Sequence, residues 1–268
     1  MVNNSLKIRC PAKINLTLKV TGKRSDGFHD IESIMQTINL YDYLTLTVEP
    51  AEKFKINLSG TSHEIPYDEK NLVYKASLAF IERTNLHPCS INIFIDKNIP
   101  VSAGLAGGSS NAAGTLLGLN EIFACPLSRN ELHELCAKLG SDLNFCLEGG
   151  RQKAAGRGEI LEKLPFEEFN VSLIKPVNLG ISAKEAYTKF NAKILNSNDR
   201  KNFVNDLEWA VIDDYDELRR IKQKYPTAVM SGSGSAYYCL NTEFEKFEGF
   251  WVKNNLKTID KGVEFVYA

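Results

Sequence analysis

The sequence predicts an α+β protein in two parts, and three observations carry that reading. The first third alternates apolar and polar residues with the period of strands. A strand, a glycine-rich loop and a helix follow one another between Ile91 and Leu119. A turn-rich stretch punctuated by Gly149, Gly150, Gly156 and Gly158 then leads to a boundary near Leu164-Pro165, which divides the chain into residues 1–164 and 165–268.

In order along the chain, Ile14, Leu16, Leu18 and Val20 alternate with Lys13, Asn15, Thr17 and Lys19, and Leu44, Leu46 and Val48 repeat the pattern, as do Phe54, Ile56 and Leu58. A helix is expected from Asn71 to Arg83, where Leu72, Val73, Ala76, Phe80 and Ile81 make one apolar stripe. The Ile91–Ile95 strand, the glycine loop and the helix carrying Leu116, Leu117 and Leu119 come next. Ser128 and Glu131 have the spacing of a capping box, and the Leu132, Leu135, Cys136 and Leu139 stripe stops at Gly140. The second part opens with a strand at Val171–Ile174, followed by a capped helix start at Ser182 and by one or two helices between Phe203 and Tyr225 with charge on the outer face. A second glycine-serine loop, Met230 to Ser235, lies in a strand-turn-helix or strand-turn-strand context. The chain closes with a helix around Phe247–Val252 and a short strand at Val263–Tyr267.

The stretch from Pro100 to Ala113 has the chemistry of an anion cradle. Gly104, Gly107 and Gly108 remove the Cβ atoms that would hold backbone N–H groups away from a polyanion, and the next helix adds its unpaired first-turn donors. It is not a Walker A loop, because no Gly-Lys-Ser/Thr follows Gly104 at the required spacing, and no G-x-G-x-x-G pattern fits.

Composition narrows the partner. A net charge of −1 gives no general attraction to nucleic acid or an anionic membrane, so phosphate affinity must be local and the partner small. Cys10, Cys89, Cys125, Cys136, Cys146 and Cys239 form no C-x-x-C pair, which argues for free buried thiols over zinc or disulfides. The opening residues lack a basic-then-apolar leader, and no apolar run approaches the ~18 residues that span a bilayer, so a cytoplasmic protein is expected.

Lys13 and Asn15 share one face of a strand; composition favours plain solvent exposure there unless other polar groups converge. Asp142, just past Gly140, is either an N-cap or a carboxylate that accepts a hydroxyl proton during phosphoryl transfer. The Gly22–Asp30 turn holds Phe28 and His29, and with Tyr187 these aromatics are ordinary packing groups or a stacking site for a planar ring.

Taken together, Pro11-Ala12-Lys13-Ile14-Asn15-Leu16, the Gly22–His29 turn, the Pro100–Ala113 loop, Leu139-Gly140-Ser141-Asp142 and Ser231-Gly232-Ser233-Gly234 resemble the GHMP superfamily of small-molecule kinases. The resemblance runs in order from about Cys10 to Cys239. It implies a two-domain α+β fold, with a ribosomal-protein-S5-like N-terminal domain and a ferredoxin-like C-terminal domain flanking a cleft. It also implies ATP and Mg2+ as cofactors and a cytidine-diphosphate-linked methylerythritol as the alcohol that is phosphorylated at its 2-hydroxyl.

By the same resemblance, Asp142 is the base and Lys13 its partner, while Asn15 and Asp142 meet the methylerythritol group. Phe28 and Tyr187 sandwich cytosine and His29 reads its edge. Pro100, Val101, Ser102, Ala103, Gly104, Leu105, Ala106, Gly107, Gly108, Ser109, Ser110 and Asn111 hold the triphosphate, with Asn71 and Leu72 near the adenine and Ser231–Ser235 lining the cleft. The Ser109 and Ser110 hydroxyls are candidate magnesium ligands, though spacing singles out no carboxylate beside them. A monomer or weak homodimer is expected.

Three residues depart from the family pattern. Ala106 replaces a common glycine, tolerable if its φ stays below zero; Phe28 replaces a frequent tyrosine; and Asn144 replaces a proline that often follows the aspartate. The alternatives are another GHMP kinase, acting on homoserine or mevalonate, or a catalytically silent ATP-binding sensor. The G-F-H turn favours a cytosine-bearing substrate, and retention of Lys13 and Asp142 weighs against the sensor.

Overall fold

A long antiparallel hairpin, β1 (Ser5–Lys23) and β2 (His29–Pro50), opens the chain and turns at Asp26-Gly27, where Gly27 has φ +87°. The computed structural model describes residues 5–195 and 199–267, so positions 1–4 of the segment read for a leader lie outside it. β1 is irregular: its register shifts between Pro11 and Ala12 and again between Asn15 and Thr17. Such bulges bend a strand and re-aim its side chains, and here they bracket Lys13 and Asn15.

Next come β3 (Lys55–Gly60), α1 (Leu72–Arg83) and β4 (Cys89–Asp96). β4 pairs antiparallel with β2 and parallel with β3. The Asn71 side chain caps α1 by accepting from the Val73 N–H, and Val73, Ala76 and Phe80 form its buried stripe. Then α2 (Gly107–Ile122) lies directly on β1: a Cβ at Gly118 would come within 2.4 Å of Ile8 Cδ1, and one at Gly114 within 2.6 Å of Cys10 Sγ. Glycine at these two positions sets how close the helix comes to the sheet.

The helix α3 (Arg129–Leu139) carries the expected capping box between Ser128 and Glu131, and α4 (Leu143–Glu148) follows it. The strands β5 (Arg151–Ala155) and β6 (Ile160–Lys163) extend the sheet from the middle of β2.

The second part comprises β7 (Asn170–Pro176), α5 (Ala183–Ile194), α6 (Asp206–Val211), α7 (Asp216–Lys224), β8 (Val229–Met230), β9 (Tyr237–Leu240), β10 (Phe250–Lys257) and β11 (Glu264–Phe265). Among the described residues seven strands form one sheet, in the order β11-β1-β2-β4-β3 with β5 and β6 attached through β2. Four strands form a second sheet, in the order β10-β7-β9-β8. The last strand thus returns to the first sheet, pairing Ile8 with Phe265.

Three apolar layers hold this arrangement. Helices α1 to α4 cover one face of the first sheet, with Leu44, Leu46, Ile91, Ile93, Phe80 and Leu116 at the centre. Helices α5 to α7 cover the second sheet around Trp209, Tyr237 and Met230. Between the sheets, Ile14, Ile38, Ile99, Leu105, Leu173 and Tyr238 pack together, so the glycine loop is wedged where the two meet.

Two expectations are corrected. The segment expected as a helix at Phe247–Val252 enters strand β10, because Gly249 at φ +82° breaks any helical path and Trp251 and Val252 pair with Lys175 and Ile174. The Phe203–Tyr225 helices do not keep all their charge outside: Asp206 and Glu208 are 1% and 2% exposed and turn inward. The Met230–Ser235 loop resolves as strand-turn-strand between β8 and β9.

Candidate active site

The glycine loop ends earlier than its sequence suggests, because α2 already begins at Gly107. The first helical hydrogen bond at this end runs from Ser110 N to Ala106 O at 2.9 Å. The N–H groups of Gly107, Gly108 and Ser109 therefore stand at the open first turn, where an anion meets both donors and the positive end of the helix dipole. Ala106 is the N-cap and has φ +56°, so the condition under which alanine is unstrained there is not met. An L-residue in that region costs on the order of 1–2 kcal/mol.

This turn opens into a cleft of about 790 Å³. Its wall includes Pro100 through Ser109, Asn111, Asn71, Leu72, Lys13, Asn15, Phe28, His29, Asp142 and Tyr187, with Gly232 and Ser233 from the second loop. Ser110 is fully buried and does not line it, and neither do Ser231, Gly234 and Ser235. Lys13, Lys97, Arg157 and Lys184 all face the cleft, giving local positive charge to a chain whose net charge is −1. Such focusing suits a polyanion.

Lys13 is not a solvent-face lysine: it is 4% exposed, and Asn15 is 1% exposed. Lys13 Nζ donates to Asn15 Oδ1 at 2.6 Å and to Gly104 O at 3.1 Å, and lies 3.5 Å from Asp142 Oδ2. Asn15 Nδ2 in turn donates to Ser33 Oγ at 2.8 Å, and Ser33 donates on to Thr17 O at 2.5 Å. Every partner on this chain is satisfied, so Lys13 has a fixed pose.

Asp142 occupies the N-cap position of α4, yet its side chain accepts no hydrogen bond from that helix. It turns to Lys13 instead, with its side chain 29% exposed to the cleft. Asn144 sits behind it, buried, with Nδ2 at 3.5 Å from Glu159 O. Burial, and next the Asp142 charge, push the Cys146 thiol and the Tyr187 phenol above their ordinary values, which keeps both groups neutral beside the carboxylate.

At the far end the aromatics gather. His29 stacks on Tyr187 with centroids 4.6 Å apart and planes 12° apart, and its Nε2 lies 2.8 Å from Asn191 Oδ1. Phe28 is 50% exposed, and the Arg157 guanidinium sits over its ring at 4.9 Å. One face of Tyr187 is therefore already covered by His29.

Lys97 and Arg157 also line the cleft, and no motif in the sequence marks them. Lys97 pairs with the fully buried Asp42 at 2.9 Å, and Asp42 also accepts from the N–H groups of Asn98 and Ile99 at 2.7 and 2.8 Å. That carboxylate fixes the corner leading into the glycine loop. Its trace in the sequence is the acid of Tyr41-Asp42-Tyr43, which interrupts an otherwise strand-like run.

Residues 71–150 match the model of the GHMP kinases N terminal domain. A 4-diphosphocytidyl-2-C-methyl-D-erythritol kinase of Prochlorococcus marinus (strain MIT 9301) is 36% identical, with 97% of each chain covered. The chain belongs to that kinase family. Another member, from Macrococcus caseolyticus, is 36% identical over 96% of both chains. A crystal structure of 4-(cytidine 5'-diphospho)-2C-methyl-D-erythritol kinase superposes with a TM-score of 0.72 at 26% identity, covering 94% of this chain and 99% of the other. A homoserine kinase from Cytophaga hutchinsonii shares the fold, with a TM-score of 0.70 at 15% identity. As a member of the 4-diphosphocytidyl-2-C-methyl-D-erythritol kinase family the chain is an ATP-dependent phosphotransferase. Among the described residues no helix is long and apolar enough to cross a membrane.

Proposed function

We propose that this chain transfers the γ-phosphoryl group of ATP to the 2-hydroxyl of 4-diphosphocytidyl-2-C-methyl-D-erythritol, a step of the non-mevalonate isoprenoid route, with Asp142 as the base. The observation that carries this reading is the Lys13–Asp142 ion pair at 3.5 Å in the same cleft as the open first turn of α2. Asp142 accepts the hydroxyl proton while the hydroxyl oxygen bonds to the γ-phosphorus; the bond to the β-phosphate oxygen breaks and ADP leaves. Lys13 offsets negative charge at the reacting centre from a pose fixed by Asn15 and Gly104. The Gly107, Gly108 and Ser109 N–H groups supply fixed donors for the phosphates, and Asn71 and Leu72 flank the base of the nucleotide.

The substrate end is read from the aromatics. Phe28 and Tyr187 stack on the cytosine and His29 reads its edge, which requires the His29 ring to leave the face of Tyr187 that it covers here. Asn15 and Asp142 meet the methylerythritol group.

Magnesium fits this cleft as a partner of the phosphates. The described residues hold no cluster of three carboxylate, histidine or cysteine side chains, but Mg2+ on a nucleotide needs only one or two protein oxygens. Asn111 Oδ1 is buried beside the cleft with no hydrogen-bond partner, and the Ser109 hydroxyl is on the wall, so these two would hold the ion with the phosphates. When bound, it neutralises charge on the β- and γ-phosphates.

The first sheet with α1 to α4 is read as the S5-like unit, and the second sheet with α5 to α7 as the ferredoxin-like one, the enzyme working as a monomer or weak homodimer without nucleic acid. The decisive assay is ATP consumption with 4-diphosphocytidyl-2-C-methyl-D-erythritol, methylerythritol phosphate, homoserine and mevalonate. Turnover confined to the cytidine substrate is expected. Equal kcat/KM with methylerythritol phosphate would remove the cytosine site, and preference for homoserine or mevalonate would overturn the substrate assignment.

A further inference from the structure

Asn205 lies outside the cleft wall and is fully buried. Its Oδ1 accepts from Leu207 N at 2.8 Å, capping α6. Both amide protons are used elsewhere: Nδ2 donates to Met230 O at 2.7 Å and to Gly232 O at 2.8 Å. One turn on, Glu208 Oε2 accepts from Met230 N at 3.1 Å. The head of α6 therefore grips the start of the second glycine loop at three backbone atoms.

The same segment is anchored to the strand that carries Lys13. Leu18 N donates to Val204 O at 3.1 Å, and buried Asp206 accepts from Val20 N at 3.0 Å and from Lys19 Nζ at 3.1 Å. The gripped loop touches the chemistry directly. Ser231 Oγ donates to Gly104 O at 3.0 Å, and Gly104 O is also the acceptor of Lys13 Nζ. On its other side the loop presses on Lys13 itself, since a Cβ at Gly232 would lie 3.2 Å from Lys13 Nζ. At Gly104 the two loops meet so closely that a Cβ would fall 1.9 Å from Ser231 O.

We propose that Asn205 is a positioning residue for phosphoryl transfer: its amide sets the Ser231–Gly232 backbone, which through Gly104 O fixes Lys13 against Asp142. This rests on the reading of Lys13 and Asp142 as the reacting pair. A buried amide with its oxygen engaged by its own helix and its nitrogen donating to two carbonyls of the β8–β9 loop does more than cap. Small displacements of groups that orient a reaction cost rate steeply.

The test separates the loop grip from the cap. Asn205→Ser keeps an N-cap oxygen and loses both amide donors; Asn205→Thr does likewise and replaces it if the serine variant does not fold. Either variant is expected to lower kcat about tenfold to a hundredfold with the KM for ATP changed little. The discriminating measurement is a cycle with Ser231→Ala, which removes the link to Gly104. In the Ser231→Ala background the substitution at 205 should cost little further kcat, while its effect on urea unfolding persists in both backgrounds. Multiplying kcat losses, or an unchanged kcat in the single variant, would overturn the proposal. Failure of the Lys13–Asp142 reading shows separately, as retained turnover in Asp142→Asn.

Discussion

Lys13 Nζ stands 3.5 Å from Asp142 Oδ2, joining the stretch of the first strand between two bulges to the head of a six-residue helix. The lysine is buried and triply engaged, whereas the carboxylate keeps an open side toward the cleft. That asymmetry suits a charge that must stay still beside a base that must meet a substrate. The helix that Asp142 nominally caps gets nothing from its side chain, which is turned to Lys13 instead.

Ala106 sits at φ +56° where the helix begins, a conformation in which glycine carries no Cβ penalty. Ala106→Gly is therefore expected to raise stability by about 1 kcal/mol, read as a higher urea midpoint at unchanged slope. An equal or lower midpoint would mean the loop tolerates alanine without strain.

Gly108 separates ligand approach from packing. A Cβ there meets nothing nearer than Leu72 Cδ1 at 3.9 Å, so Gly108→Ala should leave the melting temperature unchanged or slightly raised. The methyl group would stand beside the open first turn, and the KM for ATP should rise about tenfold or more through loss of close backbone approach. An unaltered KM would remove Gly108 from the phosphate site.

Burial holds the Glu208 carboxyl above its ordinary value of 4.5, with Lys222 at 3.5 Å only partly opposing. The folded state thus binds this proton more tightly than the unfolded chain. Its stabilising contribution is complete below the unfolded value and is lost as pH rises through the folded one. Glu208→Gln, neutral throughout and still able to accept from Met230 N, should gain stability relative to the parent as pH rises from the unfolded value of 4.5 toward the raised folded one. A difference that stays flat across that range in urea titrations would contradict the assignment.

Much of the cleft was legible because its chemistry is local: the glycines of the loop, the capping box at Ser128 and the alternation in β1 announce themselves within short windows. What escaped was set by partners far away in sequence. Lys13 and Asn15 look like a solvent face until the glycine loop, Asp142 and Ser33 gather on them, and Asp206 and Glu208 look like helix-surface acids until β1 and β8 supply their donors. The Phe247–Val252 segment has aromatics that suit a helical face, but Gly249 and the free edge of β7 made it a strand. The sign of φ at Ala106 could not be read from residue type, because the helix starts five residues before the run of alanines and leucines that reveals it.

Asp142 is proposed to take the hydroxyl proton. Asp142→Asn keeps the size of the side chain and loses the charge, so steady-state turnover with ATP and 4-diphosphocytidyl-2-C-methyl-D-erythritol, alongside nucleotide binding by calorimetry, tests it directly. ATP binding within about twofold of the parent and kcat lower by at least about a hundredfold are expected. Turnover near that of the parent would contradict it.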